Sequence, residues 1–435
     1  MIVNFSIKNF GPIKENQTLS FEADSSDHLE NEYVITTKSG FRILKLGLIY
    51  GANASGKTTI LKALDFLRDL VLEPEEKKTG QLHFSPYLFD PETPHEPSVL
   101  TIEFIYSDIR YSYEVEFDRS SIVREELYHY KPAKANIFKR STDLENRFTE
   151  IRFGSKISVD KVYKKTLESN TLWNNTVLGG YLKTNIDIEE LRNVTAWFED
   201  NLKPLVLTNT ELDTYILGKI SSGEIEKNDV SKILQRADFH ISDIVLNEKD
   251  EDIPDGLLDI LKDRLKNNPK SLNDLINRGK VTSLNLEFEH TVNGSKYPLP
   301  FLSESQGTQR YFGFAGLLVL MIKGSIVIPI DELETSLHPD LYNHFILSFL
   351  MNSKNSQLIA TTHNREILNN RDIYRNDVIW FADKNEKSCT SLYSLADFDS
   401  SVVRNTSNVY NAYKIGKLGA VPNIGDHYID LAHAE

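Results

Sequence analysis

The 435 residues exceed what one hydrophobic core usually organises, and 40% hydrophobic with 26% charged residues fits an ordinary globular chain of about two or three lobes. A formal charge of −14 excludes a uniformly basic nucleic-acid coat, while leaving room for a local basic groove. The single cysteine, Cys389, excludes an internal disulfide framework and a cysteine-built zinc site, and fits a reducing compartment.

The opening MIVNFSIKNF carries no charged-then-apolar leader, so no signal peptide and a cytoplasmic location are expected. Residues 1–75 read as strands leading into a loop and a helix. The apolar run 44–50 is followed by GANASGKTT. After it, Ile60, Leu61, Leu64, Leu67, Leu70 and Val71 recur at spacings of three and four, the period of a helix face. Strand, glycine-rich turn and helix start together form the context of a phosphate-binding loop. Gly51 and Gly56 permit tight turns that aim amide N–H groups at phosphate oxygens, with Asn53, Ser55 and Thr59 in the same run. The helix start adds a positive dipole end. Lys57 can reach the terminal phosphates, and the Thr58 hydroxyl can ligate Mg2+.

Residues 84–153 are strand-rich, with Val99, Thr101, Glu103 and Ile105 alternating with Leu100, Ile102, Phe104 and Tyr106. From about 155 to 280 the pattern turns helical. Leu191, Val194, Trp197 and Phe198 can share a helix face with Asp187 at its start, and Leu257, Leu258, Leu261 and Leu265 form a second stripe. Strand texture returns at 283–290, and Asn293-Gly294 predicts a hairpin turn. There are no sustained heptads and no internal repeats. The expected division is residues 1–153, an N-terminal half with a β lobe; 154–282, a helical insertion; and 283–435, a C-terminal half with a short cap.

The apolar stretch 314–330 is broken by Lys323, Gly324 and Pro329, so it reads as helix, turn and buried strand rather than a membrane span. The strand ends in Asp331 and Glu332. Asp331 suits a role in holding Mg2+, and Glu332 suits orienting or deprotonating an attacking water. A further apolar strand, 357–362, ends at His363, whose imidazole N–H can sense a γ-phosphate. Before the acids, LSESQGTQR precedes a helix-like run over 311–322, where Ser305 and Gly307 can bind phosphate through backbone N–H groups.

Phosphate loop, serine-glycine signature, Asp-Glu strand and strand-end histidine, in that order, resemble the ABC-type ATPase head over residues 1–75 and 295–385. That resemblance implies an α/β fold with a β-rich lobe and a helical insertion. It also implies two heads paired head to tail. Lys57, Thr58, Asp331, Glu332 and His363 would serve one ATP, and Ser305 and Gly307 would reach the ATP of the partner. The signature lacks the usual double glycine, His338 stands where many such heads carry an aspartate, and Gln81 is the candidate Q-loop glutamine.

The opening Phe5, Ile7, Asn9, Phe10 and Gly11 is similar to SMC- and RecF-like heads. GANASGKT, ESQGTQR, DELETSLHP and the late Asn411-Ala412-Tyr413 with Gly416, Gly419, Ala420, Val421 and Pro422 resemble bacterial ATPases of the RloA/AbiLi type, similar to the ATPase half of OLD proteins. This implies ATP and Mg2+ as cofactors, a homodimer or higher oligomer, no membrane, and a separately encoded effector of nuclease type in antiphage defence, with nucleic acid as a further candidate partner. Asp397-Phe398-Asp399 lies in a polar context and reads as a turn rather than a nuclease pair. The rival readings are a RecF-like DNA-repair ATPase, a transporter's nucleotide-binding subunit, and an ATP-locked scaffold.

Overall fold

Three of the short apolar runs form neighbouring strands of a five-stranded sheet. Its order is Val327–Ile330, Gln357–Thr361, Leu46–Tyr50, Ile379–Lys384 and Thr390–Ser394. The computed structural model in which they are seen describes residues 1–143, 145–237, 239–252, 280–398 and 409–422. The first four strands are parallel and the last is antiparallel. Every residue of the first three is buried, as in a sheet covered on both faces, which explains continuous apolar runs in place of alternation. Parallel pairing brings their C-terminal ends to one edge. The histidine-bearing strand lies between the loop strand and the acid strand.

The outer side of the acid strand is paired as well. Lys203 N donates to Val327 O, Val206 N to Pro329 O, and Asp331 N to Val206 O, at 2.9, 2.9 and 2.8 Å. Residues 202–206, expected inside a helical insertion, are therefore extended and add to this sheet. Pro329 is tolerated because its carbonyl faces this outer segment, so its missing N–H leaves the inner ladder intact.

The expected α/β fold is observed, in two compact units: Met1–Thr210 with Met321–Thr335 and Ile346–Glu435, and Glu211–Leu320 with Ser336–Phe345. In the first, a seven-stranded antiparallel sheet runs Phe148–Phe153, Lys134–Asp143, Ile122–Tyr130, Ile109–Phe117, Ser98–Tyr106, Ile2–Lys8 and Gln17–Ser20. Alternation in Ser98–Tyr106 buries Leu100, Ile102 and Phe104. The helix Glu189–Ala196 and its π-helical continuation Trp197–Asn201 bury Leu191, Val194, Trp197 and Phe198, and Trp197 stacks on Phe104 with ring centroids 3.9 Å apart. Asp187 does not cap this helix. Ile188 occupies that place, and Asp187 pairs instead with Arg192.

The second unit holds helices Leu212–Ser221 and Lys227–Arg236 and a three-stranded sheet, Ile241–Asp252, Lys280–Val292 and Ser295–Pro300. Asn293 and Gly294, at φ 50 and 79, make the expected two-residue hairpin turn. Gly313 and Gly316 let Leu212 and Ile216 approach so closely that any Cβ there would lie 2.5 Å from them. The leucine stripe at 257–265 and Asp399 lie outside the described residues. Asp397 closes a capping box with Ser394, so it serves a local turn. Gly416 and Gly419, at φ 75 and 68, also sit in turns.

Candidate functional site

The loop strand Leu46–Tyr50 turns through Gly51–Gly56 into the helix Lys57–Leu72. Its apolar positions, among them Ile60, Leu61, Leu64 and Leu67, are buried, which fixes the start of the helix against the sheet. A Cβ on Gly51 would lie 2.4 Å from Ala382 O and 2.5 Å from Ser55 Oγ. Gly56 has φ +99, and a side chain there would meet Thr390 Oγ1 at 2.4 Å. Ser55 Oγ is buried without a hydrogen-bond partner, and Ser55 O accepts from Thr390 Oγ1 at 2.8 Å. Asn53 is exposed on the loop, and Thr59 packs beneath Gly11.

Lys57 is buried, and its Nζ donates to Gly51 O and Ala52 O, both at 2.9 Å. Burial lowers its pKa, opposed by the negative charges of Asp331, Glu332 and Glu334. The ammonium thus lies against the loop among three acids, with neutral acceptors as its hydrogen-bond partners.

The acid strand ends beside this loop. Thr58 Oγ1 donates to Asp331 Oδ1 and Oδ2 at 3.0 and 3.1 Å, and Thr361 Oγ1 donates to Asp331 Oδ1 at 2.6 Å. Glu332 has φ +48, a left-handed conformation rare for a residue with a side chain. Its N–H donates to Thr361 Oγ1 at 2.8 Å, Leu333 N donates to Thr361 O at 3.1 Å, and Thr335 N donates to Glu332 O at 2.9 Å. The turn is therefore over-determined, the usual condition for such strain to persist. Thr335 Oγ1 also reaches Glu332 Oε2 at 3.3 Å.

His363 follows the central strand, and its backbone N–H donates to Glu334 Oε1. Its imidazole pKa is lowered, first by burial and next by the positive charge of Lys57, while Glu334 and Glu332 oppose the shift. The neutral ring retains one N–H to donate. Loop, lysine, threonine, both acids and histidine thus gather at one edge of one sheet.

Ser305 and Gly307 belong to the other unit. The helix begins at Gln306, not near 311, because Ser305 Oγ accepts from Thr308 N at 3.1 Å as an N-cap. Gly307 is needed locally, since a Cβ would lie 2.8 Å from Ser336 O. His338 is exposed beside Asp340. Gln81 lines an open cleft of about 390 Å³ with Lys78, Arg147 and Trp173, and none of the other candidate residues lines it.

Two residues of the first cluster escaped the sequence reading. Thr361 was visible only as a threonine at a strand end. Glu334 was visible as a third acid in DELETSLHP, but the left-handed turn at Glu332 that brings it toward His363 has no signature in residue types. Among the described residues no group of three or more His, Cys, Asp or Glu could hold a metal. A hydroxyl and a carboxylate, Thr58 and Asp331, match the sparse all-oxygen set that Mg2+ takes when phosphates and water complete its shell.

No curated protein matches the chain. Among solved structures it is similar to the SMC head domain from Thermotoga maritima, at 12% identity and TM-score 0.41, covering 90% of this chain and 98% of that one. An SMC head bound to the C-winged helix domain of ScpA matches at 13% identity and TM-score 0.46, covering 90% and 97%. The Smc head with an extended coiled coil bound to the C-terminal domain of ScpA, from Pyrococcus furiosus, matches at 11% and 0.39, covering 96% and 98%. No helix among the described residues is long and apolar enough to cross a membrane. The family model described as "AAA domain, putative AbiEii toxin, Type IV TA system" matches residues 48–369, from the loop strand past His363, and the chain belongs to that family.

Proposed function

We propose that the chain is a Mg2+-dependent ATP hydrolase of the ABC type that acts as a dimer or larger assembly and regulates a separately encoded effector, of nuclease class, in antiphage defence. The observation that carries the ATPase reading is the Thr58–Asp331 pair beside the buried Lys57. Loop amides between Gly51 and Thr59 would bind phosphate oxygens, and Lys57 would exchange its contacts to Gly51 O and Ala52 O for the terminal phosphates. Thr58 and Asp331 would hold Mg2+, which when bound supplies charge neutralisation on the phosphates. Glu332 would take the proton of the attacking water, and His363 would donate to the γ-phosphate. Ser305 and Gly307 would present the start of the helix Gln306–Lys323 to the nucleotide of a second copy.

The effector reading is supported by the family description, which names a toxin system, and by the likeness of DELETSLHP to defence ATPases. The test is a pull-down from native cells with and without ATP, alongside turnover with Mg2+ and with a chelator. The proposal expects Mg2+-dependent turnover and a partner whose association follows nucleotide state. Salt-sensitive, ATP-dependent DNA affinity with no protein partner would favour the RecF-like reading instead.

A further inference from the structure

The third acid of DELETSLHP, Glu334, ties the acid turn to the end of the histidine strand. Glu334 Oε1 accepts the backbone N–H of His363, across 29 residues of chain. Its other oxygen, Oε2, is buried and has no hydrogen-bond partner. One carboxylate oxygen is thus spent on the histidine backbone, and no protein group satisfies the other. Glu334 also lies close enough for its charge to act on both Lys57 and His363. It therefore faces the same cluster as the proposed catalytic groups while bonding only the backbone at the histidine.

We infer that Glu334 is a further positioning residue of the ATPase site. It latches the chain where the strand Gln357–Thr361 ends, and thereby sets where the His363 imidazole stands relative to the terminal phosphate. The left-handed turn at Glu332 makes this possible. It reverses the chain after Asp331, while Thr361 holds that turn through Glu332 N and Leu333 N. The acid turn and the histidine end are thus joined twice, once through Thr361 and once through Glu334. Binding and chemistry separate on this account. Nucleotide affinity is set mainly by the loop and Lys57, whereas Glu334 acts on the step that needs His363 in place. The inference rests on the ATPase reading above.

The experiment uses the full chain and the variants Glu334→Ala, Glu334→Gln, His363→Ala and Glu334→Ala/His363→Ala, with two readouts. The first is backbone hydrogen exchange of the peptide containing His363, which needs no activity. Glu334→Ala should speed exchange there, and Glu334→Gln, whose amide oxygen still accepts, should restore protection. The second is steady-state ATP turnover. Glu334→Ala should lower kcat by about 10- to 100-fold with KM within about threefold, the scale expected for a displaced group. Glu334→Gln should recover most of that loss, and the double variant should be little worse than His363→Ala alone. Unchanged exchange in Glu334→Ala overturns the latch. Faster exchange with undiminished kcat, equal losses in the Ala and Gln variants, or fully additive losses in the double variant overturn the positioning role. A wild-type chain without turnover would instead refute the ATPase reading, and the exchange result would still read the latch.

Discussion

The Thr58 hydroxyl donates to both carboxylate oxygens of Asp331, at 3.0 and 3.1 Å, across 273 positions of sequence. Thr58 lies in the first turn of the helix after the glycine-rich loop and Asp331 directly follows the acid strand, with the histidine strand between their two strands. Neither motif is informative alone to the degree that this single contact is, because it places a hydroxyl and a carboxylate, the proposed Mg2+ ligands, beside a buried lysine.

Glu332→Gln should bind ATP while losing about 10²- to 10⁴-fold in turnover, the range of a positioned base. The amide keeps the oxygen that Thr335 reaches, so the strained turn is retained. Closed assemblies should accumulate with ATP, as measured by scattering or native mass. Normal turnover would remove Glu332 from the role of base.

The Ser305 hydroxyl caps its own helix, and that observed role has to be separated from the proposed one toward a partner's nucleotide. Ser305→Asn preserves capping, so its melting temperature should match wild type within about a degree, whereas Ser305→Ala should lose about 0.5–2 kcal/mol. If the serine also faces a partner's nucleotide, the bulkier Ser305→Asn should still lose at least about tenfold in turnover. Mixing Ser305→Arg with Lys57→Ala should return part of the activity, since one of the two composite sites then keeps both residues. Full turnover in Ser305→Asn and in purified Ser305→Arg would show that the serine serves only its helix.

The sheet, the loop and the acid strand were legible because each is a buried apolar run with distinctive residues at one end. The edge segment at 202–206 was not. Its Leu202, Leu205 and Val206 are too few to distinguish a strand from the helices around them, and it is extended because the acid strand offers it backbone partners. Asp187 looked like a cap, but the helix starts one residue later, with Ile188 at the N-cap, and Asp187 pairs with Arg192 five residues on. Thr361 and Glu334 were hidden for a related reason. Their relevance comes from a turn with φ +48 at a glutamate, which residue types do not announce.

Glu125 gives a test of stability in the β lobe. It is buried, accepts from Tyr113 OH and Val177 N at 2.8 Å each, and burial pushes its pKa up from the ordinary 4.5 to about 7, against the charge of Arg140. A carboxyl whose folded value is raised holds its proton more tightly when folded. Its contribution is full below 4.5 and is lost as pH rises through about 7. Wild type should therefore lose more stability than Glu125→Gln between about pH 5 and about pH 8, by an amount on the order of 1–3 kcal/mol, seen as a larger fall in its melting temperature. Parallel melting curves for the two proteins would refute this.

The central claim is that Gly51–Gly56 and Lys57 form a nucleotide site, and the most direct measurement is equilibrium ATP binding to wild type and Lys57→Ala in Mg2+. Removing one charged hydrogen-bond donor to phosphate should cost about 1.5–3 kcal/mol, or roughly 10- to 150-fold in Kd, with the fold retained by circular dichroism. An unchanged Kd in the variant, or no ATP binding by the folded wild-type chain, would contradict the account.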